Sequence, residues 1–496
     1  MSVPITLPRD QLFKTVPYQH QIEALMLSRE QTNFALLMEM GTGKSKVVID
    51  TASYLFSQGK INCLVVMSPK SVTRGWSTQQ VEAHLPNEID RIVLTWGDPM
   101  RKFRDQEEWF FEDNKNLMTT LRVFSMNVEA VATDKGYDYL EKILRSFRCL
   151  LVVDEATTIK NPSAKRTKAL TKLGKLAKYR RILTGTPVTN SPLDVYAPFN
   201  FLEEGLLQCT SFISFRNRYA VTRKRQVNGR AFDEVVGYQR LDELQKLISK
   251  VSFRALKKDC LDLPEKIYTT RYIELTPEQR AYYKSLKEDA LAWLSNGDLV
   301  TAPLVITRLL RFRQCLCNIA PTEDKDTLKL SAHSPRADEV MKILEETQGQ
   351  KVIIWSNFIP SINNLANLIA ETYGPDSVAK IYGDISGPDR QSIVERFQDS
   401  NNPLSYIVSN PRTGGFGITL TAATVVIYHD HDWSLEVRLQ SEDRCHRIGQ
   451  KHNVTYIDLV SPGTIDEKIV GALRRKEDLA SQVSGDNLRK ILEDHG

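Results

Sequence analysis

Phe34-Ala-Leu-Leu-Met38-Glu-Met-Gly-Thr-Gly-Lys-Ser45 is the stretch that decides the fold. An apolar run of strand length ends in a glycine-rich turn, and Lys44 to Phe56 continues with helical spacing. A strand running through such a turn into a helix forms a phosphate-binding loop. Backbone N–H groups of the turn and of the helix N-terminus then point at phosphate oxygens. Gly41, Thr42 and Gly43 make the close approach, Lys44 brings a point charge to the β- and γ-phosphates, and Ser45 ligates Mg²⁺. Met38 stands where the pattern G-x-x-x-x-G-K-[ST] opens with glycine.

A loop of this kind needs a second strand that ends in carboxylates. Leu151-Val-Val-Asp154-Glu155 supplies it. Asp154 is expected in the Mg²⁺ sphere, and Glu155 is expected to position or deprotonate the attacking water. A helix cap after a strand is the plainer reading of these acids, and the phosphate loop upstream outweighs it.

Outward from the loop, residues 33 to 190 alternate between strands and helices. Leu64-Val-Val-Met67, Arg91 to Thr95, Leu121 to Phe124, Leu150 to Val153 and Arg181-Ile-Leu183 are short apolar runs. Runs of this kind separated by helices imply a parallel sheet covered on both faces. The alternation returns after residue 350, at Val352-Ile-Ile-Trp355, Val378 to Tyr382, Tyr406-Ile-Val408, Val425 to Tyr428 and Val454 to Val460. The fold class is therefore α/β, with two lobes and helical insertions between them. The divisions fall at 1–195, 196–335 and 336–463, with a charged helical extension over 464–496.

Composition sets the outer limits. The chain has 496 residues, which is about three domains' worth. It is 41% hydrophobic and 26% charged, as ordinary globular proteins are. A net charge of +5 permits a polyanionic partner without demanding one. Basic residues crowd at Lys165, Arg166 and Lys168, from Arg216 to Arg230, and at Arg308, Arg311 and Arg313. No apolar run reaches membrane-spanning length, and Met1 to Asp10 lacks the pattern of a signal peptide. The expected location is intracellular, in the cytoplasm of a bacterial or virus-infected cell. The seven cysteines include no C-x-x-C pair, so free thiols are expected and zinc is not.

Beyond the loop and the acids, the chain resembles the Swi/Snf family of superfamily-two helicase-related ATPases. The resemblance rests on pieces in family order over almost the whole length. They begin with Pro17-Tyr-Gln19, Glu39 to Ser45, Ser68-Pro-Lys-Ser71 with Trp76, Asp154-Glu-Ala-Thr157 with Lys160-Asn161, and Thr184-Gly-Thr-Pro187. Phe253-Arg-Ala-Leu-Lys-Lys-Asp259 follows, before Leu263-Pro264. The second lobe adds Lys351 to Ser356, Gly414-Gly-Phe-Gly-Ile-Thr-Leu-Thr421 and the highly specific Gln440-Ser-Glu-Asp-Arg-Cys-His-Arg-Ile-Gly-Gln450. Thr157 stands where the family usually has histidine.

The resemblance implies two tandem RecA-like lobes and an ATP hydrolase that works with ATP and Mg²⁺. It implies that Gln19 reads adenine, whereas the residues alone suggest a surface glutamine. It implies that Gln440, Arg444 and Arg447 are the second lobe's contribution, with the arginines reaching the γ-phosphate as fingers. Lys70, Ser71, Ser125, Asn127, Ser356, Asn357, Gly414, Gly415 and Thr421 are implied as backbone contacts to nucleic acid. Small and hydroxyl side chains suit that work, because phosphate and sugar contacts carry no sequence information. Trp433 either faces the nucleic acid or packs in the core.

The implied activity is ATP-driven translocation on double-stranded DNA without strand separation, with branched or single-stranded DNA left open. A recruiting protein partner, a monomeric state and no membrane contact complete the expectation. Two readings compete: a strand-separating or strand-annealing helicase acting on DNA or RNA, and a non-motor nucleic-acid-binding protein with a vestigial ATP site.

Overall fold

Neighbouring residues of each central strand face opposite cores. Leu64 and Val66 pack in one apolar cluster, while Cys63, Val65 and Met67 pack in the other. The same split separates Leu150 and Val152 from Leu151 and Val153. Side chains alternate along a strand, so a run that is apolar at every position must be covered on both faces. The computed structural model describes residues 11–112, 120–227, 230–295, 302–321, 328–330, 334–383, 385, 387–412 and 418–484.

The chain divides into two compact units. The first holds Met1–Arg223, Asp233–Asp262 and Lys476–Gly496, and the second holds Lys224–Phe232 and Leu263–Arg475.

The first unit is built on a seven-stranded sheet. Its strands are β1 (Asn33–Met38), β2 (Cys63–Ser68), β3 (Asp90–Thr95), β4 (Thr120–Asn127), β5 (Cys149–Asp154) and β6 (Tyr179–Leu183). A separate two-stranded ribbon follows, β7 (Ala220–Val227) with β8 (Arg230–Tyr238), and then β9 (Ser252–Ala255) closes the sheet. The order is β3-β4-β2-β5-β6-β1-β9, with every pairing parallel. Parallel neighbours need crossovers, which the helices supply. The order β5-β6-β1 sets the C-terminal ends of three strands side by side. In α/β sheets that edge is where ligands bind.

The second unit has six parallel strands in the order β10-β17-β16-β13-β15-β14. They are β10 (Lys266–Tyr272), β13 (Lys351–Trp355), β14 (Val378–Ile381), β15 (Tyr406–Ser409), β16 (Ala423–Tyr428) and β17 (Val454–Val460). β11 (Ile319–Pro321) and β12 (Leu328–Leu330) form a small antiparallel pair. Val352 and Ile354 face one core, Ile353 and Trp355 the other.

The α/β reading with two parallel-sheet lobes therefore holds. The stretch expected to be helical insertions is richer than that. Beside its helices it contains the β7–β8 ribbon and gives each sheet an edge strand, β9 and β10. Both strands are mixed in polarity, because an edge strand has little apolar surface to cover. Among the described residues, no helix is long and apolar enough to cross a membrane. None of the seven cysteines is in a disulfide.

Candidate functional site

β1 ends at Met38, and the chain turns through Gly41 at φ 79° and Gly43 at φ 92° before the helix Lys44–Ser57 begins. These are left-handed conformations, which glycine adopts without steric cost. Gly43 caps the helix without any side-chain bond to its first N–H groups. Those donors stay available to an anion. Lys44 is buried, and its Nζ donates to the carbonyls of Met38 at 2.8 Å and Glu39 at 3.2 Å. Thr42 anchors the turn by donating from Oγ1 to Glu39 O at 2.7 Å. Ser45 is half-buried beside Lys44.

Two neighbouring segments brace this loop. His20 Nε2 and Gln21 Nε2 both donate to Thr42 O, at 2.7 and 3.0 Å. A Cβ at Gly43 would sit 2.1 Å from Gln21 Nε2, and φ 92° would strain any side chain there, which favours glycine. Gln19 is exposed and donates to Glu23. Its two successors are the residues that touch the loop.

On the other side, Arg254 of β9 donates to Leu37 O and Gly185 O at 3.1 and 2.9 Å. The Lys257 N–H donates to the Glu39 carboxylate at 2.6 Å. Gly185, in Thr184-Gly-Thr-Pro187, backs onto the loop, where an added Cβ would meet Met40 N at 3.2 Å. Arg254 and Lys257 thus brace the glycine loop.

β5 delivers the acid pair to the same edge. Asp154 Oδ2 accepts from Trp76 Nε1 at 2.7 Å, and Oδ1 accepts from the Glu155 N–H at 3.0 Å. Burial raises the Asp154 pKa above the usual aspartate value, against the opposing pull of the indole, the Lys44 charge and the Glu155 N–H. Lys44 is therefore close enough for its charge to act on Asp154. The Asp154 carboxyl and the Ser45 hydroxyl are both hard-oxygen donors, the kind that Mg²⁺ takes. Glu155 sits at φ 49°, left-handed without being glycine. A strained backbone of this kind costs about 1–3 kcal/mol and persists where the surroundings over-determine it. Thr157 is buried in the short helical turn that follows.

The second unit gathers the other expected residues around the helix Leu435–Glu442. Ser434 caps it by accepting from the Val437 N–H, and Gln440 is buried with its amide toward Glu436 at 3.4 Å. Arg444 is buried and donates to Ile418 O at 3.3 Å. Arg447 is half-buried, and burial lowers its pKa against the pull of Asp443. Gln450 clamps this loop by donating to the carbonyls of Thr421, Ala423 and Cys445.

Beneath the loop, Glu442 accepts from Lys266, Tyr268 and Arg438 at 3.0, 2.7 and 2.7 Å. Burial pushes Glu442 up, but Lys266 and Arg438 outweigh it and hold the pKa at about 2. This anchor ties β10 to the helix Leu435–Glu442, while the β10 backbone ladders with β17.

The residues expected along the nucleic acid differ in what they present. Lys70 is exposed at the start of the helix that follows β2, while Asn127 and Thr421 are half-buried, with Thr421 accepting from Gln398. Of Ser71 only the helical backbone is described, and Gly414 and Gly415 lie outside the described residues.

Ser125 and Ser356 require correction. Both are fully buried. The Ser125 hydroxyl lies within 3.5 Å of Ser77 and Thr95, and that of Ser356 donates to Asp430 at 2.7 Å. Their hydroxyls are committed inside the protein and hold the strand ends in place. Asn357 also donates to Asp430, through both its backbone and its side chain. Trp433 is half-buried against Leu435, Leu439 and the 465–473 helical stretch, which favours packing.

The chain matches the SNF2-related domain over residues 18–320 and the helicase conserved C-terminal domain over 335–449. It is 27% identical over 477 residues to YwqA of Bacillus subtilis, which carries the name ATP-dependent helicase/translocase; the match covers 94% of this chain and 48% of YwqA. It is 28% identical over 465 residues to the TATA-binding protein-associated factor MOT1 of Saccharomyces cerevisiae, covering 84% of this chain and 24% of MOT1. The chain thus spans less than half the length of either relative. Among solved structures it is similar to the Sulfolobus solfataricus SWI2/SNF2 ATPase core in complex with dsDNA, at 27% identity, 97% and 96% coverage and a TM-score of 0.44. Because the first of these domains spans more than half of its residues, the chain belongs to the SNF2-related family.

Proposed function

We propose that this chain is an ATP-driven motor that moves along double-stranded DNA. The observation that carries the reading is the juxtaposition of the glycine loop, buried Lys44 and the Asp154–Glu155 pair at one sheet edge. Lys44 leaves its carbonyl partners to meet the β- and γ-phosphates of ATP, and Gln19, exposed on its helix, reads the adenine. Mg²⁺, held by Asp154 and Ser45, would neutralise the charge that builds on the phosphates. Glu155 orients the attacking water and accepts its proton. Arg444 and Arg447 bring positive charge to the γ-phosphate during turnover, with Gln440 supporting them. An arginine in that role is worth about 10³–10⁵ in rate.

Lys70, Ser71, Asn127, Asn357, Gly414, Gly415 and Thr421 provide the DNA track, which reads backbone and not sequence. The family match and the name helicase/translocase carried by YwqA support a nucleic-acid track.

Phosphate release with and without duplex DNA tests the reading. Stimulation by duplex, together with triplex displacement and no opening of a forked duplex, supports a translocase. Strand opening at the fork instead identifies a helicase. A rate that no nucleic acid changes overturns the motor reading.

A further inference from the structure

Trp76 carries a role that the motifs do not explain. It is 2% exposed, as a core tryptophan would be, yet its one polar atom points at the acid proposed to hold the metal. The indole is the first residue of a five-residue π-helical turn, Trp76–Gln80, set between the α-helical turns Lys70–Gly75 and Val81–His84. A π turn widens the helix and costs hydrogen-bond quality, so it persists where it aims a side chain. Ser77, one residue on, donates to or accepts from Thr95 Oγ1 at 2.7 Å and pins the turn to β3. The same helical run begins at Lys70, exposed beyond the end of β2.

We propose that Trp76 is a positioning residue that fixes the plane of the Asp154 carboxylate and relays movement of the 70–80 helical run to the ATP site. Each carboxylate oxygen already accepts one bond, Oδ2 from the indole and Oδ1 from the Glu155 N–H. One lone-pair direction on each oxygen is thereby left for a cation. A shift of the run when Lys70 meets a backbone phosphate drags the indole, and the carboxylate turns with it. DNA contact and metal geometry are linked through one hydrogen bond. The inference rests on the motor reading above and adds the path by which DNA reaches the acid.

The test uses the full chain labelled with ¹⁵N at its six tryptophans. The Trp76 indole signal is identified by its loss in Trp76→Phe. Should that variant not fold, its displacement in Asp154→Asn identifies it. The expected result is that this signal moves on adding Mg²⁺ with mant-ADP, and moves again on adding duplex DNA alone. Trp76→Phe is also expected to raise the Mg²⁺ needed for half-maximal mant-ADP binding by about tenfold, as loss of a bond to a metal ligand does. Its mant-ADP affinity in EDTA should stay at the parent value. A purely structural indole would weaken both or neither.

A Trp76 signal that ignores either ligand, in protein that binds both, overturns the inference and leaves the motor reading standing. Protein that binds neither mant-ADP nor DNA overturns the motor reading, and the inference with it.

Discussion

The backbone N–H of Lys257 and the carboxylate of Glu39 meet at 2.6 Å, so residues far apart in sequence share the support of one glycine loop. Glu39 also donates its own N–H to Ala255 O. Glu39→Ala deletes a charged acceptor and leaves the Lys257 N–H without it. Such a loss costs about 1–3 kcal/mol. The expected outcome is a lower midpoint for unfolding of the first unit and weaker mant-ADP binding, read by calorimetry and fluorescence titration. Unchanged values in both would show that the brace carries no weight.

Glu155 combines a proposed catalytic carboxylate with a left-handed backbone. Glu155→Gln should keep ATP binding and lose turnover, measured by phosphate release. Glu155→Gly should lose turnover as well, while stability stays level or rises by about 1 kcal/mol as the strain is relieved. Turnover at the parent rate in Glu155→Gln removes Glu155 from the mechanism. Marked destabilisation of Glu155→Gly would mean that the conformation is not strained.

Glu442 is held at about 2, below its usual 4.5, once Lys266 and Arg438 have overcome the effect of burial. A carboxylate with a depressed folded-state pKa contributes stability that is complete above the unfolded value. That contribution is lost as pH falls through the folded one. The second unit should therefore lose stability progressively between about pH 4.5 and about pH 2. Glu442→Gln should remove this part of the acid limb and, by taking the carboxylate from Lys266 while Arg438 keeps Asp458, cost about 1.5–3 kcal/mol at neutral pH. Acid titration of the unfolding midpoint checks both. An acid limb identical in the variant contradicts the assignment.

Affinity for duplex DNA should fall steeply with salt. A protein making 6–10 phosphate contacts loses about 10³–10⁵ in binding between 50 and 200 mM. Lys70→Ala should lower that slope by about one contact, measured by anisotropy at several salt concentrations. A flat response would count against a backbone track.

The sheets were legible because a strand buried on both faces writes itself as an unbroken apolar run, as Leu64–Met67 and Val352–Trp355 do. The glycine turn after β1 and the acids after β5 stand out in the sequence because each follows directly on an apolar run. β9 and β10 were not, since edge strands such as Lys266–Tyr272 carry little apolar signal. Ser125 and Ser356 misled for a related reason. A small hydroxyl at a strand end looks the same whether it faces solvent or a buried partner, and only the fold supplies the direction. His20, Gln21 and Arg254 were hidden because their partners are backbone carbonyls, which no sequence pattern marks. Only His20 lies between exposed Gln19 and Gln21, which touches the loop, and helix phase sets that difference.

Hydrolysis is proposed to need Arg444 and Arg447 as well as the glycine loop and the acid pair. Single-turnover hydrolysis of ATP in the presence of duplex DNA, compared among the parent, Arg444→Ala and Arg447→Ala, tests it most directly. The account predicts ATP binding close to the parent's, because the phosphate loop is intact, with hydrolysis slower by about 10³ or more in at least one variant. Hydrolysis at the parent rate in both would contradict it.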